Sequence, residues 1–210
     1  MSGLSSYGAA ILGAIAGLFI TSFVGDISSR IMSRLIDTLL NYFRSNRGSR
    51  MFIARSLYIN HSNNRENWKW VRQRDLRFPE VAELSKDRSL DIKARIKLNE
   101  LAPETNYSAH LIFKTTASPR HLDTCQEASV SLGTLQWKKV VCIKPRVTRS
   151  RNKSIGLPIE RPDGWMELQL GQFYCDDSTG DREVEVCLME NNQDSEKSGF
   201  IVAGVEVRPI

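Results

Sequence analysis

The tripeptide Trp68-Lys69-Trp70 follows the polar run Asn63-Asn64-Arg65-Glu66-Asn67. Along a strand, alternation puts both indoles on one face and Lys69 on the other. An indole is a flat apolar platform on which the C–H face of a pyranose ring stacks, while nearby Asn, Glu and Lys side chains bond its hydroxyls. Two core tryptophans would have the same spacing. Core burial is the expected role of Trp70, and Trp68 stands open between core and platform.

Support for catalysis is thin. The chain has no G-x-S-x-G elbow, no H-E-x-x-H and no P-loop. Glu183 and Glu190 could pass for the carboxylate pair of a glycosidase, which must flank one scissile bond. Alternation, however, turns Glu183 outward with Glu185, while Glu190 ends the same strand. Outward charges on a solvated sheet are the usual explanation of both. The four cysteines, Cys125, Cys142, Cys175 and Cys187, include no C-x-x-C pair, and there are only three histidines. A zinc site of standard spacing is therefore absent. Reduced thiols of a cytosolic domain are expected, with two disulfides in a secreted domain as the other possibility. Sequons at Asn60, Asn106 and Asn152 occur near chance frequency and do not establish secretion.

The elements that position these residues begin with the composition. Over 210 residues, 41% are hydrophobic and 25% charged, enough to bury a core and exclude disorder throughout. With 13 Gly and 7 Pro, fibrous classes are excluded. A net charge of +5 is too small to specify a nucleic-acid partner.

Residues 1–50 differ from the rest. Met1 to Gly25 carry no charge, and Gly8 to Val24 are nearly all apolar. A helix there would reach roughly 25 Å, just short of a bilayer core. Gly13 and Gly17 form a G-x-x-x-G pair, the spacing that lets two membrane helices approach, so a homodimer is open. Asp26 stands at an N-cap position, and Ile27, Ile31, Leu35, Leu39 and Phe43 follow on one helical face. Arg30, Arg34, Arg44, Arg47 and Arg50 make this flank basic. A membrane anchor through residues 8–43 is expected, with the C-terminal part facing the cytoplasm by the positive-inside rule. A buried helix packed on the following domain is the other reading. The segment Ser45 to Arg50 is the expected boundary.

Beyond it the sequence alternates. Leu90 to Leu98, Tyr107 to Phe113, Ala128 to Leu132, Met166 to Leu170, Val184 to Leu188 and Ile201 to Val207 show period two. Turn signals fall at Ala102-Pro103-Glu104, Ser118-Pro119, Arg161-Pro162-Asp163-Gly164 and Ser178 to Asp181. No amphipathic helix falls between the strands, so a two-sheet antiparallel sandwich or jelly roll is expected. The basic block Lys138 to Lys153 reads as a long loop, either a solvated one or a nuclear-import or polyanion patch. Asp176 to Glu196 is acidic.

The stretch from Arg161 to Ile210 resembles the C-terminal signature of the phloem protein 2 (Nictaba-like) plant lectins. The pieces are Asp163-Gly164-Trp165-Met166-Glu167, Leu170-Gly171-Gln172-Phe173, Glu183-Val184-Glu185-Val186 with Leu188-Met189-Glu190, and Ser198-Gly199-Phe200-Ile201-Val202 to Val207-Arg208-Pro209. Upstream, Ala54 to Ile59, Trp68-Lys69-Trp70, Val81-Ala82-Glu83-Leu84, Leu90-Asp91-Ile92 and Tyr107 to Lys114 fit the same family in order. The resemblance covers roughly residues 52–210.

The resemblance implies a β-sandwich lectin domain for N-acetylglucosamine oligomers or N-glycan cores, in a typically nucleocytoplasmic family. It implies no metal, no cofactor and no catalysis. Its two sugar-stacking aromatic positions fall on His61 and Trp68, and its site glutamates on Glu183 and Glu190. Ser89 and Glu196 replace tryptophans common in the family, and His61 replaces an indole.

Together these readings predict an all-β, jelly-roll-like lectin domain over residues 51–210. A helical hydrophobic and amphipathic segment over residues 1–50 is expected to precede it. The expected function is a membrane-tethered, non-enzymatic carbohydrate-binding protein whose partners are glycans or glycoproteins. A protein-interaction module that has lost sugar binding is the alternative function, and cytoplasm plus nucleus the alternative location.

Overall fold

A computed structural model describes residues 48–74, 77–144, 155–176, 182–190 and 194–210. The N-terminal segment expected to be helical, its G-x-x-x-G pair and the homodimer reading built on it lie outside these residues, as do Arg146 to Lys153 of the basic block and Ser178 to Asp181.

Twelve strands are described: β1 (Arg50–Ile53), β2 (Tyr58–Ile59), β3 (Trp68–Arg72), β4 (Glu80–Leu84), β5 (Leu90–Lys97), β6 (Thr105–Arg120), β7 (Cys125–Leu132), β8 (Leu135–Cys142), β9 (Ile159–Glu160), β10 (Met166–Cys175), β11 (Glu183–Glu190) and β12 (Ser198–Pro209). They form two antiparallel sheets. One runs β3-β4-β12-β6-β10-β9, with β1 also paired to β12; the other runs β2-β5-β11-β7-β8. The fold is an all-β sandwich.

The alternation read from the sequence is the cause. In β5, Leu90, Ile92, Ala94 and Ile96 are buried while the intervening residues are partly or fully exposed. In β11, Val184, Val186 and Leu188 face the same way. They meet Leu111, Phe113, Leu168, Phe200, Val202 and Val205 of the opposite sheet in one core. Each such side chain contributes about 1.5–3 kcal/mol by leaving water. A smaller cluster of Phe78, Val81, Ile112, Trp165 and Ala203 covers part of the other face of the larger sheet. Gly204 sits where β1 crosses β12, and a methyl there would collide with the Phe52 carbonyl.

Three expectations need correction. Ser118-Pro119 does not end a strand: β6 continues to Arg120, and Pro119 falls in the irregularity between the pairs Phe200–Thr115 and Ser198–Arg120, where the ladder needs no proline N–H. Lys138 and Lys139 are not loop residues but lie in β8, paired with Ser129 and Ala128 of β7. The location expected at a membrane is overturned as well. Among the described residues no helix is long and apolar enough to cross a bilayer. Their helical content is two three-residue 3-10 turns, Ala54–Ser56 and Leu98–Glu100.

Candidate functional site

The segment between β2 and β3 is a chain of tight turns. Ser62 N–H donates to the Ile59 carbonyl at 3.1 Å, and Asn64 N–H to the His61 carbonyl at 2.9 Å. His61 holds φ at 58°, a left-handed conformation that turns its ring outward, and its side chain is 53% exposed. Its Nδ1 lies 2.8 Å from Asp87 Oδ2. A carboxylate only accepts, so Nδ1–H donates; Nε2 is then an acceptor in the neutral ring and a donor in the charged one.

Asp87 is itself buried and is held from several sides. Asn67 Nδ2 donates to Oδ2 at 3.1 Å, and the Ser89 N–H to Oδ1 at 3.1 Å. Burial pushes the Asp87 carboxyl pKa up, but the His61 hydrogen bond and the backbone N–H groups outweigh it, so the net shift is downward. Asp87 and Lys197 exchange both backbone hydrogen bonds. Lys197 Nζ donates to the Arg88 carbonyl at 2.6 Å and lies 3.2 Å from Glu190 Oε1. Thr124 Oγ1 and Gln126 Nε2 donate to the two Glu190 oxygens at 2.7 and 3.2 Å. One polar network therefore runs from the exposed His61 ring to the buried Glu190 carboxylate.

Of the four residues singled out by resemblance, the structure joins His61 and Glu190 through Asp87 and Lys197. Trp68 sits on the core side of this network. It is 2% exposed, so it presents no platform to solvent. Its Nε1–H is buried without a hydrogen-bond partner. Trp70, expected to be the deeper of the two, is only half buried and lies under the Arg55 guanidinium, 3.7 Å from its ring centre. Glu183 is exposed and pairs across the sheet with Lys97. Glu183 and Glu190 stand at the two ends of β11, seven residue steps apart, about 23 Å at ~3.3 Å per residue. That spacing cannot serve one glycosidic bond, which needs carboxylates within about 10 Å.

Asp87, Lys197, Thr124 and Gln126 escaped the sequence reading. Each is a polar residue beside a strand end with no motif around it. Lys197 directly precedes Ser198-Gly199, the start of β12, which the family resemblance covers. None of the four cysteines is in a disulfide. Among the described residues no group of three His, Cys, Asp or Glu could hold a metal ion.

The fold and this rim define a two-sheet β-sandwich domain with a polar loop site at one end of the sandwich. The phloem protein 2 family model matches residues 47–209. The chain belongs to the phloem protein 2 family. Among curated relatives from Arabidopsis thaliana, F-box protein PP2-B10 is 32% identical over 168 residues, covering 76% of this chain and 59% of that protein. F-box protein VBF is 31% identical over 206 residues, covering 84% and 73%. The chain spans between half and three fifths of the first three curated relatives it matches, at 59%, 56% and 51% of their lengths. Among solved structures, the Podospora anserina GH26-CBM35 β-(1,4)-mannanase aligns with a TM-score of 0.42 at 10% identity, over 78% of this chain and 28% of that one. The mannan-recognising carbohydrate-binding module TmCBM27 aligns with a TM-score of 0.37 at 9% identity, over 78% and 90%. Likenesses this distant carry no argument about a ligand.

Proposed function

We propose that this chain is a carbohydrate-binding protein that recognises N-acetylglucosamine oligomers or N-glycan cores, through the rim around His61 and without catalysis, metal or cofactor. Family membership supports the ligand class. The observation that carries the site is the fixed ring: a half-exposed imidazole pinned by a buried carboxylate, which Asn67 and Ser89 hold in turn. A pre-oriented ring stacks on a pyranose with less ordering cost than a free one. In the neutral ring Nε2 can accept from a sugar hydroxyl. Trp68 and Glu190 serve from beneath, one packing under the rim and the other holding Lys197 against the Asp87 loop. Glu183 has no part in this rim.

A glycan array with the full chain beside His61→Ala tests the reading. Binding to N-acetylglucosamine structures that drops in the variant supports it, and undiminished binding removes His61 from the site.

The second reading is a protein-interaction module. Two observations favour it: Trp68 and Glu190 are engaged internally, and several relatives are named F-box proteins. Pull-downs that survive deglycosylation of every partner would select it.

A further inference from the structure

On one flank of the sandwich the edges of the two sheets meet. β8 is the last strand of its sheet, and β10 is paired with β9 only at Met166 and Glu167. A groove of about 440 Å³ lies between them, walled by Trp137, Lys138 and Lys139 of β8 and by Gln169, Gly171 and Gln172 of β10. Gly171 makes the approach possible, since a methyl there would collide with Val130 Cγ2 on β7. Ligand clefts typically hold about 300–1,000 Å³.

The lining is specific in kind. Trp137 is 51% exposed, a large apolar ring that the core does not use. Among the described residues no carboxylate lines the groove. Lys138 is paired with Glu127 at 2.8 Å. Lys139 Nζ is only 3.3 Å from the neutral Gln169 Oε1, and no carboxylate pairs with it among the described residues. Burial holds the Lys139 pKa below the usual lysine range, as expected for an ammonium that has lost water without gaining an anion. The groove thus combines an exposed indole, two carboxamides and an uncompensated cation.

We propose that this groove binds an acidic saccharide, a sugar chain carrying uronate carboxylates. Trp137 stacks on a pyranose ring, Lys139 pairs with the carboxylate, and Gln169 and Gln172 bond the hydroxyls. A neutral sugar would leave the Lys139 charge partly desolvated and unpaired. An acidic peptide would supply the charge but not the flat C–H face that the indole matches. None of these residues belongs to the His61 network, so the inference goes beyond the proposed function and does not depend on it.

The test titrates the full chain with trigalacturonate, tri-N-acetylglucosamine and polyglutamate by calorimetry, for wild type, W137A, W137F, K139Q and H61A. Trigalacturonate should bind wild type and weaken about tenfold in W137A, a fold-change typical of a lost stacking contact. W137F should keep most of the affinity, K139Q should lose several-fold together with most of the salt dependence, and H61A should match wild type. A melting curve of W137A like wild type shows that the loss is local. Absence of trigalacturonate binding by the folded wild type overturns the inference, as does equal affinity in W137A. Equal affinity for polyglutamate also overturns it, as simple polyanion capture. Loss of tri-N-acetylglucosamine binding only in H61A, with trigalacturonate lost only in W137A, establishes two sites. Trigalacturonate binding with no response to tri-N-acetylglucosamine in any variant upholds the groove and removes the proposed function.

Discussion

Lys197 Nζ lies 3.2 Å from Glu190 Oε1, and the two side chains are 1% and 4% exposed. A charge pair this deep is tolerated because both ends are satisfied. The ammonium also reaches the Arg88 carbonyl, and the carboxylate accepts from Thr124 and Gln126. The pair fastens the start of β12 to the end of β11 and, through the Asp87 backbone, to the loop that holds His61.

Breaking one side of that pair leaves a buried charge alone. Lys197→Met should destabilise the domain by about 3–5 kcal/mol in urea titrations. Lys197→Met combined with Glu190→Leu should recover much of the loss. If the double variant is no more stable than the single one, the pair is not the reason Lys197 is needed.

Trp68 lies in the core, so its replacement acts on stability before it acts on any ligand. Trp68→Ala should cost about 3–5 kcal/mol, read as a lower melting temperature. Trp68→Phe should cost less and leave glycan binding in place at a temperature where the variant is folded. A Trp68→Ala domain as stable as wild type would contradict the core placement.

His110 gives the domain a pH dependence. Burial lowers its pKa to about 4 from the ordinary 6.5, with Arg208 adding to the shift and Glu167 opposing it. Its Nδ1 lies 3.8 Å from Glu167 Oε1, a distance that would suit an ion pair. Glu167 is already engaged by Arg161 and Arg208 at 3.2 and 2.9 Å, so the imidazole stays neutral. The unfolded chain therefore takes the proton first. Stability is full above about pH 6.5 and declines as pH falls toward 4, by on the order of 3 kcal/mol. His110→Gln should flatten that slope in denaturation measured across the range; an unchanged slope would assign it to other groups.

Cys125 and Cys142 stand directly opposite each other on β7 and β8, with their sulfurs 3.9 Å apart. Diamide, which accepts the two thiol hydrogens, should close a Cys125–Cys142 disulfide readily. Cys187 should resist oxidation, because burial first and then Asp91 push its thiol pKa up to about 12. Peptide mapping after brief diamide treatment checks both, and a disulfide involving Cys187 would contradict the assignment.

The sheets were legible because a half-buried strand writes its two faces into the sequence: β5, β7 and β11 follow the alternation of their apolar residues, whereas in β12 the irregularity between Val202 and Gly204 reverses the phase, so Ile201 and Ala203 join the smaller cluster while Val205 and Val207 join the main core. β8 was not legible, because as an edge strand it exposes Leu135, Trp137 and Val140 together with its lysines and so lacks a clean period. The site was half legible. His61 and Glu190 belong to one network, but only through Asp87 and Lys197, whose meeting depends on sheet pairing rather than on any local pattern. Alternation correctly put Trp68 and Trp70 on one face, yet it could not say which lies deeper. That depends on Arg55 covering Trp70 from a distant turn.

The measurement closest to the central claim is calorimetric titration of the folded full chain with tri-N-acetylglucosamine, beside His61→Ala and Asp87→Asn. Wild type should bind, His61→Ala should lose binding, and Asp87→Asn should weaken it several-fold because the ring is no longer pinned. No heat from the folded wild type, or equal affinity in His61→Ala, would contradict the assignment of this rim as the sugar site.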